Sequence, residues 1–404
     1  MLGRRGGAWI FSVDSLSFLK RLVLVSLRSK RRSGPTQMKT ISILLFVALS
    51  SPLFAVSEKM IFKSGEGGYS NYRIPALITT KDGSLLAFCE ARKDDRGDSG
   101  NIDMILKRST DNGQSWSAPI VVWDAGDETA GNPCPVVDQR TGRIINIVCW
   151  NLASDHGKDL HAGTSKDTRR VFQTHSDDDG LTWTKPKEIT TAVKDPSWWW
   201  YATGPGVGIQ LTKAPHEGRL VIPANHTAEG FFGAHTLYSD DGGETWSMSN
   251  IIQPTVNESQ VVELSDGRLM MNMRSQGFAD TPRPRNGYRS IAFSTNGGES
   301  WTKPRFDKHL GDPRVQASII RYDEETLLFS NPNPPIQAES GQRIRMTIRA
   351  SKDDGKTWPH ELLIYDGASA YSSLTKTTDG KVGLLYEKEK DIVFATMDLE
   401  AIVQ

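Results

Sequence analysis

The sequence predicts an all-β protein, a β-propeller of six blades in which each blade is a four-stranded antiparallel sheet. Three observations lead there. An eight-residue turn signature recurs five times along the chain. The segments between its copies are short and rich in β-forming residues. Beyond the N-terminus no long amphipathic helical pattern occurs, in a chain carrying 36 glycines.

The signature reads S-x-[DN]-x-G-x-[ST]-W. Its copies are STDNGQSW at 109–116, SDDDGLTW at 176–183, SDDGGETW at 239–246, STNGGESW at 294–301 and SKDDGKTW at 351–358. Their starts are separated by 67, 63, 55 and 57 residues. In each copy the Asp or Asn side chain can accept hydrogen bonds from backbone N–H groups of its own turn. Gly takes the positive-φ position, and Ser or Thr adds local hydrogen bonds. The Trp that opens the next strand has a large face to bury against a neighbouring sheet.

Flanking segments such as IINIVCW, GRLVIPAN, GRLMMNMR and KVGLLYEK read as strands. A period of about 60 residues with several strands per repeat marks a propeller blade. Residues 58–404 hold six such periods, so one blade lacks the signature. That blade is expected to close the ring with strands from both ends of the chain. A β-sandwich or a β-helix is the alternative reading of the same pattern.

The first 55 residues differ from the rest. Residues 1–37 are basic, with Arg28, Lys30, Arg31 and Arg32 clustered and Asp14 as the sole acid. From Met38 the chain reads MKTISILLFVALSSPLFA, a charged start, an apolar run and a small residue. That layout predicts a secretory signal peptide over 38–55, cleaved after Ala55, although Leu53 is larger than is usual two positions earlier. A membrane anchor is the alternative, and the run is short for a span. Met38 followed by Lys39 is itself a good start, so 1–37 reads as an extension that need not be translated. Residues 56–404 then form one domain, secreted or periplasmic.

The 48 basic and 48 acidic side chains argue against nucleic acid or a membrane surface as partner. The three cysteines, Cys89, Cys134 and Cys149, leave at least one thiol unpaired. Cys134 and Cys149 can pair across adjacent strands, or all three can be buried thiols. None has metal-ligand spacing.

Function in a repeat protein sits where the repeats differ. GDSGNIDMILKRS sets Asp98 and Asp103 around a small polar loop before a strand, with no equivalent pair in other repeats. Three arginines also fall outside the pattern: Arg73 in NYRIPAL, Arg274 at the end of GRLMMNMRS, and Arg343 ahead of MTIRASKDDG. Taken singly, the arginines read as solvated surface charges, the two acids as a solvated loop pair and Tyr371 as a half-buried strand aromatic. Together, YRIP followed by repeated boxes resembles the bacterial exo-sialidase (neuraminidase) family, from about Phe62 to Phe394.

The resemblance implies a glycosidase acting on terminal sialic acid. That sugar carries a carboxylate on its anomeric carbon, and guanidinium groups bind carboxylates bidentately while staying charged at any working pH. Arg73, Arg274 and Arg343 would form the clamp. Arg343 is preferred over Arg345, with Arg349 also nearby and strand alternation left to choose. Asp98 would be the acid/base catalyst, leaving Asp103 as a structural residue at the start of a strand. Tyr371 in ASAYSSL would be the nucleophile, since a neutral phenol avoids repulsion by the substrate carboxylate. Its ordinary pKa near 10 calls for a base. Glu258 in NESQVVELSDGR matches that base, with Glu263 as runner-up. Arg92, with Asp95, would contact sugar hydroxyls.

The Trp198–Trp200 run can serve sugar stacking or packing between blades. Tyr386 reads as a structural strand aromatic. No metal or organic cofactor is expected, sialylated glycans are the partners, and the domain is expected to act as a monomer. Three alternatives remain: a sialoglycan-binding propeller without catalysis, a trans-sialidase or hydrolase of a related nonulosonic acid, and a structural propeller for protein partners.

Overall fold

A computed structural model describes residues 56–404 apart from 229, 277–286, 336, 337 and 340. The signal-peptide and extension readings lie outside the described residues. The first described strand, β1 (Ser57–Phe62), is set aside by the chain until its end. Then come β2 (Asn71–Thr79), β3 (Leu85–Arg92), β4 (Ile102–Ser109) and β5 (Ile120–Trp123), paired in that order and antiparallel. The same meander recurs in β6 (Thr129–Val137), β7 (Ile144–Asn151), β8 (Arg170–Ser176) and β9 (Lys187–Glu188). In the third, β10 (Tyr201–Thr203) and β11 (Ile209–Gln210) both pair with β12 (Leu220–Ala228), followed by β13 (Phe231–Ser239) and β14 (Ser247–Met248).

The fourth meander is β15 (Val256–Glu263), β16 (Leu269–Ser275), β17 (Gly287–Ser294) and β18 (Arg305–Asp312). The fifth is β19 (Ser318–Arg321), β20 (Leu327–Pro332), β21 (Ile344–Ser351) and the start of β22 (His360–Lys376). Strand β22 serves twice. It pairs with β21 as far as Ala368 and with β23 (Val382–Lys388) from Ser369 onward. Strand β24 (Asp391–Met397) follows β23, and β1 adds to its open edge.

The innermost strands meet side by side around a ring, which is the propeller arrangement. Leu77 N–H of β2 donates to Ser373 Oγ of β22 at 2.9 Å. Gly206 and Gly208 N–H reach the β6 carbonyls of Pro133 and Pro135 at 3.1 and 2.9 Å. Ser259 N–H of β15 donates to Gly204 O at 3.0 Å, and Leu374 N–H of β22 to Ser318 Oγ of β19 at 3.0 Å. Both faces of a blade are covered by its neighbours, so β3, β6 and β15 are buried at every position rather than alternately.

Every box joins the third strand of a meander to the fourth, and its local chemistry is repeated nearly unchanged. Ser Oγ accepts the Gly N–H at 2.8, 2.9, 2.8, 3.0 and 2.8 Å from Ser109, Ser176, Ser239, Ser294 and Ser351. Asp111 Oδ1 accepts Ser115 N–H at 2.8 Å, and Asn296 Oδ1 does the same for Ser300 at 3.0 Å. These bonds, Ser115 hydroxyl first, draw the Asp111 carboxyl down to about 2. The residue before each Gly is left-handed as well: Asn112, Asp179 and Asp354 have φ of 54°, 59° and 59°.

The Trp closes the gap to the preceding blade. Trp116 meets Phe394 edge-on at 5.2 Å, and Trp183 meets Phe88 at 5.6 Å. Trp246 Nε1 donates to Gln173 at 2.6 Å and Trp301 Nε1 to Thr236 at 3.0 Å. Trp358 packs among Val262 and Met270 of the fourth meander. The box is therefore an inter-blade clamp. The sixth meander lacks one because β24 and β1 are its third and fourth strands, and no loop joins them.

All three cysteines are buried free thiols, and Cys134 and Cys149 form no bridge. Glu263 and Tyr386 are structural. Glu263 accepts Thr212 and Lys213 N–H, and Tyr386 donates its hydroxyl to Glu58. Trp198 stacks on His226 at 3.6 Å inside the third meander, while Trp200 is held between His161 at 4.3 Å and Arg169 at 4.4 Å.

An added Cβ at Gly113 would lie 2.0 Å from Phe394 Cε1, at a φ of +86°. Gly113→Ala is therefore expected to cost about 1–3 kcal/mol and to lower the melting temperature by several degrees. A melting curve unchanged from wild type would show that the box does not set the first-to-sixth blade contact.

Candidate active site

Four strands at the site lose register: the shifts in β2, β15 and β22 fall at Arg73, Glu258 and Tyr371, and the one in β21 falls at Arg345, two residues after Arg343. Register shifts bracket Arg73 to Ala76 in β2, Val256 to Ser259 in β15, Ile344 to Met346 in β21 and Ser369 to Ser372 in β22. Bulges of this kind re-aim a side chain that regular pleating would send into the neighbouring blade. Ile74, directly after Arg73, sits at φ 58°, a strained conformation for a β-branched residue. Its N–H donates to Glu387 at 3.0 Å, which holds the kink in place.

Tyr371 lies at the centre, 6% exposed, packed on Ile74 and Val315. Its hydroxyl donates to Glu258 Oε1. The other oxygen of Glu258 takes Arg274 Nη1 at 2.7 Å. The guanidinium carbons of Arg73 and Arg343 lie 5.4 and 5.8 Å from the Tyr371 ring centroid. Arg343 is fixed by donation to Arg314 O at 2.6 Å. Arg345 instead pairs with the exposed Asp366, and Arg349 pairs with Glu361, so Arg343 is the one of the three at the phenol.

Asp98 sits across the site, with its side chain 65% exposed and open to a large group arriving from solvent. Its Oδ1 is 3.2 Å from Arg73 Nη1 and 3.0 Å from Arg92 Nη1. A cavity of about 500 Å³ opens beside it, bordered by Ser99, Lys158, His161 and Trp200. Asp103, by contrast, is buried at the start of β4 and accepts the Tyr69 hydroxyl at 2.7 Å.

Arg92 lies beneath the Asp98 loop, buried, and its donors are turned to that loop and its root. It binds Glu90 through Nε at 3.1 Å and Nη2 at 2.5 Å, and the carbonyls of Arg96 and Gly97 through Nη1 at 2.5 and 2.7 Å. Asp95 accepts Gly97 N–H at 2.5 Å within the same loop. Arg92 thus supports the loop that carries Asp98.

Two acids at this site were not singled out from the sequence. Glu387 at the end of β23 is 2% exposed and lies 3.3 Å from Arg73 Nε. Glu90 anchors Arg92 and also accepts Asn132 N–H at 2.8 Å. The available signal was an acid near the end of an otherwise apolar strand, as in VGLLYEK. Arg96 was missed too.

The charges set the proton positions. Burial first, and then the Glu258 carboxylate, push the Tyr371 phenol well above its ordinary value, against Arg274, Arg343 and Arg73. The resting phenol is therefore neutral and hydrogen-bonded to a carboxylate. Burial raises the Asp98 pKa, but Arg92 and Arg73 outweigh it and leave the carboxyl below its ordinary range. Arg73, Arg92, Arg96, Arg274 and Arg343 face Glu90, Asp98, Glu258 and Glu387, an excess of positive charge suited to an anion. Among the described residues no group of three or more His, Cys, Asp or Glu side chains is arranged to hold a metal ion.

Comparison with known proteins agrees with this architecture. Residues 83–384 match the BNR repeat-like domain family. The exo-alpha-sialidase of Aspergillus fumigatus is 34% identical over 351 residues, 80% of this chain and 80% of that protein. The sialidase of Micromonospora viridifaciens is 36% identical over 374 residues, 86% of this chain and 54% of its own length. The chain thus spans about half of that relative, and 64% of the sialidase of Bacteroides fragilis. Among solved structures, the Hadza microbial sialidase Hz136 superposes with a TM-score of 0.76 at 32% identity, over 86% of this chain and 69% of that one. The Ruminococcus gnavus intramolecular trans-sialidase, 18% identical with a TM-score of 0.69 over 86% of this chain and 98% of that one, shares the fold. The chain belongs to the sialidase family.

Removing the Glu387 charge takes from half-buried Arg73 the buried one of the two carboxylates it faces. Glu387→Gln is expected to cost about 1–3 kcal/mol, read as a melting temperature several degrees lower. Wild-type melting in this variant would show that the Glu387 charge does not hold Arg73.

Proposed function

We propose that the protein is an exo-α-sialidase that releases terminal sialic acid from glycoconjugates with retention of configuration. One observation carries the reading: a buried tyrosine hydroxyl bonded to a carboxylate under three convergent guanidinium groups, facing an exposed carboxyl. An ordinary glycosidase nucleophile would be an anion, repelled by the substrate's own carboxylate. A neutral phenol that surrenders its proton only during attack avoids the repulsion.

The steps follow from the positions. Arg73, Arg274 and Arg343 hold the sugar carboxylate. Glu258 takes the phenolic proton as Tyr371 Oη bonds to the anomeric carbon, and Asp98 gives its proton to the departing glycosidic oxygen. In the second half, Asp98 removes a proton from water, which attacks the same carbon. The carbon–Oη bond breaks, and Glu258 returns the proton to the phenolate. Arg274 has two duties, since its bond to Glu258 aims the base while its remaining donors face the substrate. The 38–55 segment would deliver this enzyme outside the cytoplasm, where sialylated glycans are met.

The test is release of 4-methylumbelliferone from its α-sialoside by purified residues 56–404, with chromatography of the sugar product. Free sialic acid as product is expected. An anhydro sugar or a transferred sialoside would replace hydrolysis by transfer, and no release at all would contradict the reading. Tyr371→Phe and Glu258→Gln should each lose about 10²–10⁴-fold in kcat, with the folded β-rich spectrum retained. Near-normal rates in both would remove them from the mechanism.

The pH profile has a definite sign. Asp98 must start protonated to act as acid, yet Arg92 and Arg73 favour its carboxylate. Its reactive fraction therefore shrinks as pH rises, and kcat/KM for 3'-sialyllactose should fall steadily from roughly pH 4 to 8. A profile rising over that range would assign the acid role elsewhere.

A further inference from the structure

The loop that carries Asp98 is tied to three different blades. Its root is gripped by the buried Arg92–Glu90 pair at the end of β3. Its far side is fastened to the second blade, where Ser99 Oγ donates to Asp155 O at 2.8 Å and Gly100 N–H to Thr129 Oγ1 at 3.0 Å. Between these anchors the side chain of Arg96 reaches the opposite way, to the sixth blade, with Nη2 4.0 Å from Glu387 Oε2.

That oxygen is the informative one. Glu387 Oε1 accepts Ile74 N–H at 3.0 Å and faces Arg73 Nε at 3.3 Å. Oε2, equally buried, has no hydrogen-bond partner in the structure. A buried carboxylate oxygen left without a donor is costly, and the Arg96 guanidinium stands 4.0 Å from it. Its side chain is 47% exposed, so it can move the short way to a direct hydrogen bond without disturbing the core.

From this geometry we infer that Arg96 is a positioning residue, a latch that joins the acid-bearing loop to Glu387 and holds Asp98 over the leaving-group oxygen. The inference rests on the sialidase reading above. Glu387 then serves both ends of the reaction. One oxygen orients Arg73 for the substrate carboxylate, and the other holds the loop that supplies the proton. When the sugar carboxylate draws Arg73 toward itself, Glu387 turns more fully to Arg96, and the loop closes as the clamp fills. Asp98 loses part of its pairing with Arg73 at the same moment, which favours the protonated form it needs. Arg96 itself touches no reacting atom.

Leaving groups separate this role from a purely structural one. An aryl sialoside departs as a stable phenolate and needs little help from Asp98, whereas the galactose hydroxyl of 3'-sialyllactose departs poorly without a proton. Arg96→Ala is expected to lower kcat/KM about tenfold or more on 3'-sialyllactose and less than about threefold on 4-nitrophenyl sialoside. The affinity for free sialic acid should change little, and Arg96→Lys should recover most of the loss. Equal losses on both substrates, a loss confined to KM and sialic acid affinity, or no loss at all would each overturn the inference. Wild-type protein inert on both substrates would instead overturn the sialidase reading, so the two failures are distinct.

Discussion

The structure turns on one short chain of contacts, Tyr371 to Glu258 to Arg274. The neutral phenol gives Glu258 a charge-assisted hydrogen bond, but burying the carboxylate is costly, and burial with that carboxylate beside it opposes ionisation of the phenol. The arrangement persists because Arg274 satisfies the second oxygen of Glu258 and because Arg73 and Arg343 flank the ring. Those same guanidiniums then need counter-charges of their own, which Glu387 supplies for Arg73. Glu90 does the same for Arg92, beneath the Asp98 loop. Arg343 is held instead by the Arg314 carbonyl at 2.6 Å.

The propeller makes such a cluster affordable. Its stability comes from repeated local turns and from Trp, Phe and aliphatic packing between blades. The turns lie at the junctions of third and fourth strands, away from the inner strands that hold the phenol. The ladder is interrupted just where Arg73, Glu258 and Tyr371 leave the inner strands, and Arg343 lies one residue ahead of β21, whose own register shift falls at Arg345. A regular strand would alternate these side chains between faces, whereas a bulge lets successive blades aim them at one point. Strain at Ile74 is the local expression of that demand, and Glu387 holds it.

How far the sequence could be read follows from the range of the interactions. The boxes were legible because their hydrogen bonds span at most four residues. Their second left-handed position was not anticipated, since Asn and Asp there also look like side-chain acceptors. Arg73, Arg274, Glu258, Tyr371 and Asp98 stood out through family motifs, not through any periodicity of their own. The choice between Arg343 and Arg345 could not be settled by alternation, because the register shift between Ile344 and Met346 breaks it. Glu387 pairs with Arg73 across most of the chain, a partnership that no local pattern encodes. Arg92 shows the same limit: the family resemblance implied a sugar contact, and only the structure shows its donors turned to Glu90 and to the carbonyls of the acid loop. The tryptophan run divides, with Trp198 in the core and Trp200 at the cavity beside Asp98.

The central claim is that Tyr371 becomes covalently bonded to the sugar. The direct measurement is mass spectrometry of the protein after brief exposure to a 2,3-difluorinated sialic acid, whose fluorine at C3 slows release from the enzyme. One sialyl adduct per chain, mapped by peptide fragmentation to Tyr371 and absent after replacement of that residue by Phe, is the expected result. An adduct on a carboxylate such as Glu258 or Asp98, or turnover of the reagent with no adduct under any quench, would contradict it.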